Sequence, residues 1–126
     1  MNIKLIRTHV DELSLLKNEG KMESIEFSFS TAFSEKQKNS FLIIFNLKLR
    51  INDESILTVS YFSEFEADQD IGFDDQESKF FSINAPAIAY PFLRAYIANF
   101  TLSSGFDPVM LPTINFVNHE KSRVNS

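Results

Sequence analysis

Cysteine and tryptophan are absent from this chain of 126 residues, and glycine and histidine are scarce, with three and two residues respectively. Without cysteine the chain cannot form a disulfide, a thiolate metal site or a cysteine nucleophile. The glycines, Gly20, Gly72 and Gly105, lie too far apart to form a phosphate-binding loop. Cysteine-based redox chemistry and glycine-rich nucleotide binding are therefore excluded.

The chain also lacks a long apolar run. Hydrophobic residues make up 44% of it and charged residues 23%, which is the composition of a globular domain. No apolar run approaches the length of about 20 residues that crosses a bilayer. Met1 leads into Asn2, Ile3 and Lys4 without an apolar signal segment. We therefore expect a cytoplasmic protein without membrane insertion, whose length suits one domain with one core.

Basic residues are outnumbered, with 12 lysines and arginines against 17 acids. Seven of the acids fall between positions 64 and 77, where there is no base. A protein that neutralises phosphates needs a basic stripe, which this sequence does not contain, so we expect no nucleic-acid partner. The acidic stretch is either a solvated loop or a surface for a basic partner.

Phenylalanine, in contrast, is abundant, with fourteen residues against three tyrosines. Its ring has no polar group that could face water, so most of these side chains have to be buried or used in binding. The spacing of the phenylalanines therefore bears on both fold and function.

Four segments alternate between apolar and polar residues with the period of a β-strand. The clearest covers residues 40–52, where every second residue from Phe41 to Ile51 is apolar, while Leu42 and Ile44 make its start apolar on both faces. Residues 24–33 and 57–65 flank it and are joined to it by short polar turns. The first segment, residues 3–15, alternates less regularly because charged and polar residues interrupt it. The sequence thus predicts four strands.

The one helix signal follows these strands. Residues 67–84 have no clear period and predict a long crossover connection. Pro91 suits a first helical turn, where its missing N–H costs nothing, and apolar residues then recur at helical spacing up to Gly105, a natural stop. We predict a helix of about fourteen residues beginning at Pro91, followed by an extended proline-containing stretch. The domain is expected to cover residues 1–118, with a disordered polar tail over 119–126.

One helix of this length cannot cover the predicted sheet. Four strands of about twelve residues make a sheet of roughly 40 by 19 Å, whereas a helix of about fourteen residues is about 21 Å long and covers a strip about 10 Å wide. An apolar face left open on a small domain is normally closed by another copy or kept for a ligand. We therefore expect a homo-oligomer, and a monomer only if the long connection folds over the sheet.

Catalytic and metal-binding patterns are missing from the sequence. The two histidines, His9 and His119, stand alone, and Ser103, Ser104 and Gly105 lack the upstream glycine of a nucleophile elbow. The acidic stretch does not match a calcium-binding loop, because its glycine and its phenylalanine occupy the wrong positions. We expect no enzyme activity, no cofactor and no metal.

The most specific motif is a block of about thirty residues around the predicted helix. It consists of Pro86, Tyr90, Pro91, Phe92, Arg94, Ile97, Gly105, Pro108 and residues 111–116. A proline-led helix that carries an arginine, then a glycine, a proline-rich stretch and a closing Asn-Phe pair are typical of the SecB family of export chaperones, which this block resembles. Weaker matches lie upstream, at Arg7 and at the acid, aliphatic residue and serine of residues 12–14.

The resemblance implies an α+β subunit with a four-stranded antiparallel sheet, a long crossover and one main helix. It implies a tetramer built as a dimer of dimers, with helices at the tetramer interface. It also implies an ATP-independent holdase chaperone that binds unfolded or precursor polypeptides in hydrophobic grooves and passes them to the export machinery, with the SecA motor as a partner.

Three sets of residues are candidates for these roles. The client-binding groove is expected to include Phe27, Phe29, Phe33, Phe73, Phe80 and Phe81. The oligomer interface is expected to include Leu57, Val59, Tyr61, Phe92, Tyr96 and Phe100. Glu12 is the candidate SecA contact. Each of the apolar residues could instead belong to the core of its own subunit.

Two departures from the family pattern leave alternatives open. The family's second C-terminal helix, which helps to dock SecA, has little to match it here. Where the family presents further acids to SecA, this chain has Leu16 and Ser60. Shorter SecB-like relatives include chaperones dedicated to one antitoxin of a toxin–antitoxin module, and this chain could be one of them. A non-chaperone oligomeric module that binds a specific protein or a small apolar ligand, or an enzyme whose site the sequence does not reveal, would also be compatible.

Overall fold

The structure is a computed structural model that describes residues 1–18, 20 and 25–119. The four strands form one antiparallel sheet in the order β1-β4-β3-β2, which confirms the predicted α+β fold. A 3₁₀ helix and a π-helical turn occupy the crossover and lead directly into helix α1. The elements in chain order are β1 (Ile3–Lys17), β2 (Glu26–Phe33), β3 (Ser40–Arg50), β4 (Ser55–Ala67), the 3₁₀ helix (Phe73–Glu77), the π-helical turn (Phe80–Asn84) and α1 (Ala85–Ser103).

The irregular alternation of β1 has a structural cause. The register between β1 and β4 shifts twice, between Leu5 and Arg7 and between Val10 and Glu12. Each shift inserts one extra residue, so the side chains that follow it change faces. Arg7 and His9 therefore face away from the core, although their odd numbers would place them on it, and Thr8 and Val10 lie on the core face instead.

One face of the sheet carries the core. Strand β3 alternates strictly, with every odd-numbered side chain from Phe41 to Leu49 buried. Helix α1 packs on this face through residues spaced four apart, which lie on one side of a helix. Two of them are alanines, whose small side chains let the helix approach the sheet closely. The buried helix residues in this row are Ala85, Ala89, Leu93, Ile97 and Thr101.

The predicted start of the helix at Pro91 is wrong. Helix α1 begins at Ala85, Pro86 occupies the first turn, and Pro91 lies inside the helix. Pro86 and Pro91 both suit the first turn of a helix, and the helical spacing of apolar residues does not show which of them begins it. Pro91 cannot donate to the carbonyl of Ala87, and both residues are exposed, so water can reach that carbonyl. The helix has nineteen residues and is about 28 Å long.

The predicted stop at Gly105 is confirmed. Gly105 has a φ of 92°, in the left-handed region that glycine favours, and its N–H donates to the Leu102 carbonyl. Residues 107–115 then form neither helix nor strand, and residues 116–119 form a short helical turn. Of the predicted tail, His119 belongs to this turn, and residues 120–126 lie outside the described part of the chain.

Three parts of the chain, not α1 alone, cover the core face. Leu111 and Phe116 of the C-terminal stretch are buried in the core, as are Ile71 and Phe81 of the crossover. The long connection thus does fold onto one face of the sheet. The opposite face has no covering element among the described residues, and there Leu42, Ile44 and Phe62 are only half-buried.

Candidate functional site

The six phenylalanines predicted to line a client groove lie in three separate places. Phe27 and Phe29 lie on β2 beneath the C-terminal stretch, where Phe29 is 5.6 Å from the ring of Phe116. Phe33, Phe80 and Phe81 meet at the end of the sheet beside the crossover. Phe73, on the 3₁₀ helix, is 87% exposed.

Burial separates these residues further. Phe29 and Phe81 are 7% and 2% exposed and form part of the core, which is the alternative that the sequence left open. Phe27, Phe33 and Phe80 are half-buried and pack against the core. Of the six, Phe73 alone presents most of its ring to solvent.

An open cleft of about 890 Å³ lies between the turn that joins β2 to β3 and the start of the crossover. We call it the crossover cleft. Its apolar surface comes from Phe33, Ile71 and Phe73, and charged groups of both signs stand around it. The lining residues are Phe33, Ser34, Glu35, Lys38, Asp70, Ile71, Gly72, Phe73, Asp75 and Gln76.

Main-chain hydrogen bonds fix the two sides of the crossover cleft relative to each other. The Ile71 N–H donates to the Lys38 carbonyl at 2.7 Å, and the Ala67 N–H donates to the Asn39 carbonyl at 2.7 Å. The Asn39 side chain donates in turn to the Ala67 carbonyl at 3.3 Å. The cleft is therefore a fixed feature of the sheet end and does not depend on side-chain packing alone.

The exposure of Phe73 follows from the local backbone. The Asp75 carboxylate accepts a hydrogen bond from the Gly72 N–H at 3.1 Å, and the Asp75 N–H donates to the Gly72 carbonyl at 3.0 Å. These two bonds begin the 3₁₀ helix and place Phe73 at its first position. Phe33 stands on the other side of the cleft, with its ring edge-on to Phe81 at a centroid distance of 5.0 Å.

Helix α1 presents a second apolar surface, which we call the exposed helix face. Its members recur at spacings of three and four residues, so they lie along one side of the helix, away from the sheet. Phe92, at its centre, is 50% exposed. The exposed helix face consists of Ile88, Phe92, Ala95, Asn99 and Leu102.

Of the predicted oligomer-interface residues, Phe92 lies on the exposed helix face. Tyr96 and Phe100 are half-buried and stack on each other at 6.0 Å. Leu57, Val59 and Tyr61 are buried in the core of the subunit, the alternative that the sequence left open. The sequence did not single out Ile88 and Leu102 of the exposed helix face. Ile88 precedes the predicted helix start, and the helix residues predicted for the interface ended at Phe100.

The face of the sheet away from α1 carries Glu12, the candidate SecA contact. Glu12 lies opposite Ser60 of β4 and lines an open hollow of about 860 Å³. Asp11, Glu26 and Lys48 also line this hollow, so acids outnumber bases there. At the other end of the same face, Arg7 and Glu64 form an ion pair of 2.6 Å.

Two tyrosines of α1 are partly withdrawn from water. Burial raises the pKa of Tyr90 above its ordinary value, and the nearby Arg94 guanidinium opposes this shift. Burial also raises the pKa of Tyr96, with Tyr61 adding to the effect. Both phenols therefore stay protonated at neutral pH and act as hydrogen-bond donors or ring contacts.

Side chains that could bind a metal ion are scattered over the described residues. No group of three or more histidines and acids stands close enough to hold a metal ion within residues 1–18, 20 and 25–119. His9 lies edge-on to Phe62, and His119 packs among the rings of Phe27, Phe29 and Phe116. In the same part of the chain, no helix has both the length and the apolar character to cross a bilayer.

Comparison with known proteins gives a consistent result at the level of sequence. The model of the family described as preprotein translocase subunit SecB matches residues 12–123. The protein-export protein SecB of Anaplasma phagocytophilum (strain HZ) is 34% identical over 82 residues, which are 58% of this chain and 52% of that protein. The chain therefore spans about half the length of this curated relative.

Two solved structures share the fold. The SecB-like chaperone Rv1957 of Mycobacterium tuberculosis, solved in complex with a ChAD peptide from the Rv1956 HigA1 antitoxin, matches with a TM-score of 0.68 at 12% identity, over 89% of this chain and 90% of that one. A protein of unknown function from Streptococcus agalactiae matches with a TM-score of 0.58 at 11% identity, over 90% and 98%. Both matches concern the fold.

Proposed function

Because the chain belongs to the SecB family, a family of chaperones and not of enzymes, we propose that it is an ATP-independent holdase that binds unfolded or precursor polypeptides for export. It would work in the cytoplasm, where precursors are made, and needs no cofactor. The predicted resemblance to SecB is confirmed by the family match and by the curated relative.

The crossover cleft carries this proposal. An 87% exposed phenylalanine on a capped 3₁₀ helix is costly to leave in water, and Phe33 faces it across an open space of about 890 Å³. An extended client segment could place an apolar side chain between the two rings. Phe80 would extend the same surface towards α1.

The energetics suit a holdase. Burying one phenylalanine or leucine side chain is worth about 1.5–3 kcal/mol before the client's ordering cost is deducted. One such contact is weak, so it would not hold a short peptide. Several clefts on one oligomer would hold a long chain tightly, because each further contact becomes intramolecular.

The exposed helix face supports an oligomer. Ile88, Phe92 and Leu102 form an apolar row about four turns long that the described part of the subunit does not cover. We place this row at the interface of a homotetramer, built as a dimer of dimers. Such an assembly would also bring several crossover clefts onto one particle.

Contact with SecA would use the sheet face that carries Glu12. The excess of acids around the hollow beside Glu12 suits a basic partner. With serine at position 60 and leucine at 16, however, this face has fewer acids than the family pattern provides. The motor would therefore bind more weakly here than it binds a chaperone with the full acidic set.

Photo-crosslinking tests the proposed client site. Benzoylphenylalanine in place of Phe73 should form covalent adducts with a reduced, unfolded client protein. The same amino acid in place of Leu16, which is 65% exposed at the opposite end of the sheet, should form few. Equal yields at both positions would mean that the crossover cleft is not the client site.

A second candidate function is a chaperone dedicated to one antitoxin. A shared fold favours it: the SecB-like chaperone Rv1957, which matches this chain with a TM-score of 0.68, was solved in complex with a peptide from an antitoxin. A dedicated chaperone should bind one peptide, from a neighbouring antitoxin gene, far more tightly than it binds unrelated unfolded proteins. Similar affinities for many clients would support the general holdase.

A further inference from the structure

Residues 107–119, which we call the C-terminal segment, lie in a groove between α1 and β2. Up to residue 115 they form neither helix nor strand within the described part of the chain. Buried or half-buried side chains recur at every second or third residue, and the side chains between them are exposed. The side chains that pack towards the core are Val109, Leu111, Ile114 and Phe116, and the exposed ones include Met110, Pro112, Thr113 and Asn115.

Three side chains of α1 hold this segment by its main chain. The Tyr90 hydroxyl donates to the Pro112 carbonyl at 2.5 Å, and the Arg94 Nε donates to the Leu111 carbonyl at 2.8 Å. Thr101 Oγ1 accepts a hydrogen bond of 2.9 Å from the Val109 N–H.

These contacts would be available to many sequences. A hydrogen bond to a main-chain carbonyl does not depend on the side chain of the residue that carries it. Among the described residues, no hydrogen bond uses a main-chain N–H of Leu111 or Pro112, the two residues whose carbonyls the groove binds, so a proline is tolerated there, as Pro112 shows. Main-chain recognition combined with pockets for alternate apolar side chains is the chemistry of a peptide-binding site.

The floor of the groove is aromatic. Phe27 and Phe29 come from β2, and Phe45 from β3 stacks on Phe27 at 5.7 Å. Phe116 and His119 of the C-terminal segment lie against these rings, at 5.6 Å and 5.3 Å from Phe29. A client segment could reach this floor only where the C-terminal segment has left it.

We propose that this groove is itself a binding site for an extended apolar polypeptide segment, and that the C-terminal segment is its resident ligand. A client with apolar residues at the first, third, sixth and eighth positions would displace the resident and take over its hydrogen bonds to Tyr90, Arg94 and Thr101. The inference rests on the proposed function, since it requires that the chain binds unfolded polypeptides.

Competition between resident and client has a measurable consequence. The apparent affinity for a client is reduced by the fraction of molecules whose groove is occupied by the resident. A substitution that weakens the resident without changing the groove therefore raises the affinity for a client. Phe116 and Ile114 belong to the resident, so their replacement leaves Tyr90 and Arg94 in place.

The first test is a binding titration on the full chain. The probe is a fluorescein-labelled peptide with the sequence of residues 107–119. We expect Phe116→Ala to bind it about fivefold to tenfold more tightly than the unmodified chain, and Ile114→Ala about twofold to threefold. Met110→Ala, on the exposed side of the same segment, should not change the affinity. Circular dichroism checks that each variant folds. If Phe116→Ala does not fold, the affinity of Ile114→Ala relative to the unmodified chain is the deciding result.

Hydrogen exchange supplies the second readout, on the unmodified chain. Saturation with the unlabelled peptide should speed the exchange of amides in the C-terminal segment, Val109 among them, while those of β3 stay protected. Peptide binding with equal affinity in all three variants and unchanged exchange would overturn this inference and leave the holdase proposal standing. If no variant binds the peptide and the chain also fails to hold unfolded proteins, both proposals are wrong.

Discussion

The Tyr90 hydroxyl donates a hydrogen bond to the main-chain carbonyl of Pro112 across the boundary between α1 and the C-terminal segment. One helical turn further on, Arg94 binds the neighbouring carbonyl. The tyrosine, the arginine and the proline-rich stretch of the sequence block therefore form one physical unit. Together they attach the end of the chain to the helix and place Phe116 over the aromatic floor.

Removal of the Tyr90 hydroxyl tests this attachment. Tyr90→Phe keeps the ring contacts with Phe27 and Phe116 but deletes the hydrogen bond. The free energy of unfolding should fall by about 1–2 kcal/mol, because the Pro112 carbonyl loses a partner. Urea denaturation measures the change. Tyr96→Phe serves as the control, since among the described residues the Tyr96 hydroxyl forms no hydrogen bond, and an equal loss in both variants would contradict the account.

Tyr90 also makes the free energy of unfolding depend on pH in the alkaline range. Burial raises the pKa of Tyr90 in the folded chain, so the folded state holds this proton more firmly than the unfolded state does. The resulting stability is fully present below the ordinary pKa of tyrosine, about 10, and is lost as the pH rises through the folded value. Urea titrations above pH 9 should show a steeper loss for the unmodified chain than for Tyr90→Phe. If the free energy of unfolding falls equally with pH in both chains, the prediction is contradicted, because folding then does not raise the pKa of Tyr90.

Ser63 offers a gain in stability. It lies on β4, facing the core, is fully buried, and its Oγ has no hydrogen-bond partner among the described residues. Ser63→Ala removes an unsatisfied polar group at almost constant volume, so we expect the free energy of unfolding to rise by about 1 kcal/mol. Thermal melting measures the effect, and Ser60→Ala on the opposite face should change little. A clear loss on Ser63→Ala would mean that the hydroxyl is bonded.

Arg50 joins two loops at the end of the sheet opposite the crossover cleft. Its Nη1 donates to the carbonyls of Asn18 at 2.8 Å and Asp53 at 3.1 Å, and its Nη2 donates to the carbonyl of Gly20. A lysine cannot reproduce this fork, so Arg50→Lys should cost about 1–2 kcal/mol. Lys48→Arg, an exposed position on the same strand, should cost almost nothing. If a urea titration gives equal free energies of unfolding for Arg50→Lys and the unmodified chain, the hydrogen bonds of Arg50 to the two loops do not stabilise the fold.

The substitution Phe92→Asp tests whether the exposed helix face forms an oligomer interface. A carboxylate at the centre of the exposed helix face would be buried without a partner in an assembly that uses this face, at a cost of about 3–5 kcal/mol. Phe92→Asp should therefore reduce the molar mass measured by light scattering while the circular dichroism spectrum stays unchanged. Met110→Asp, another exposed apolar position, should leave the mass unaltered. An unmodified chain that is already monomeric would remove the basis for this prediction.

The sequence predicted β3 and β4 well because each has a buried face, and burial imposes a period of two. It could not predict the switch of faces in β1, since the irregular alternation there does not show where the two extra residues are inserted, which depends on the pairing with β4. The helix start was missed because Pro86 and Pro91 carry the same signal. At the site, the row Ile88 to Leu102 was recoverable from helical spacing once the start was correct. The distribution of phenylalanines over core, groove and cleft was not, because it depends on where the crossover and the C-terminal segment fold.

The central claim is that the chain holds unfolded proteins without ATP through the crossover cleft. The most direct measurement is light scattering of an unrelated protein that is diluted from denaturant, with the chain added in stoichiometric amounts and no nucleotide. We predict that scattering falls in proportion to the chain added, that Phe73→Ser weakens this effect, and that Leu16→Ser does not. Scattering that is unchanged by the unmodified chain, or lowered equally by Phe73→Ser, would contradict the account.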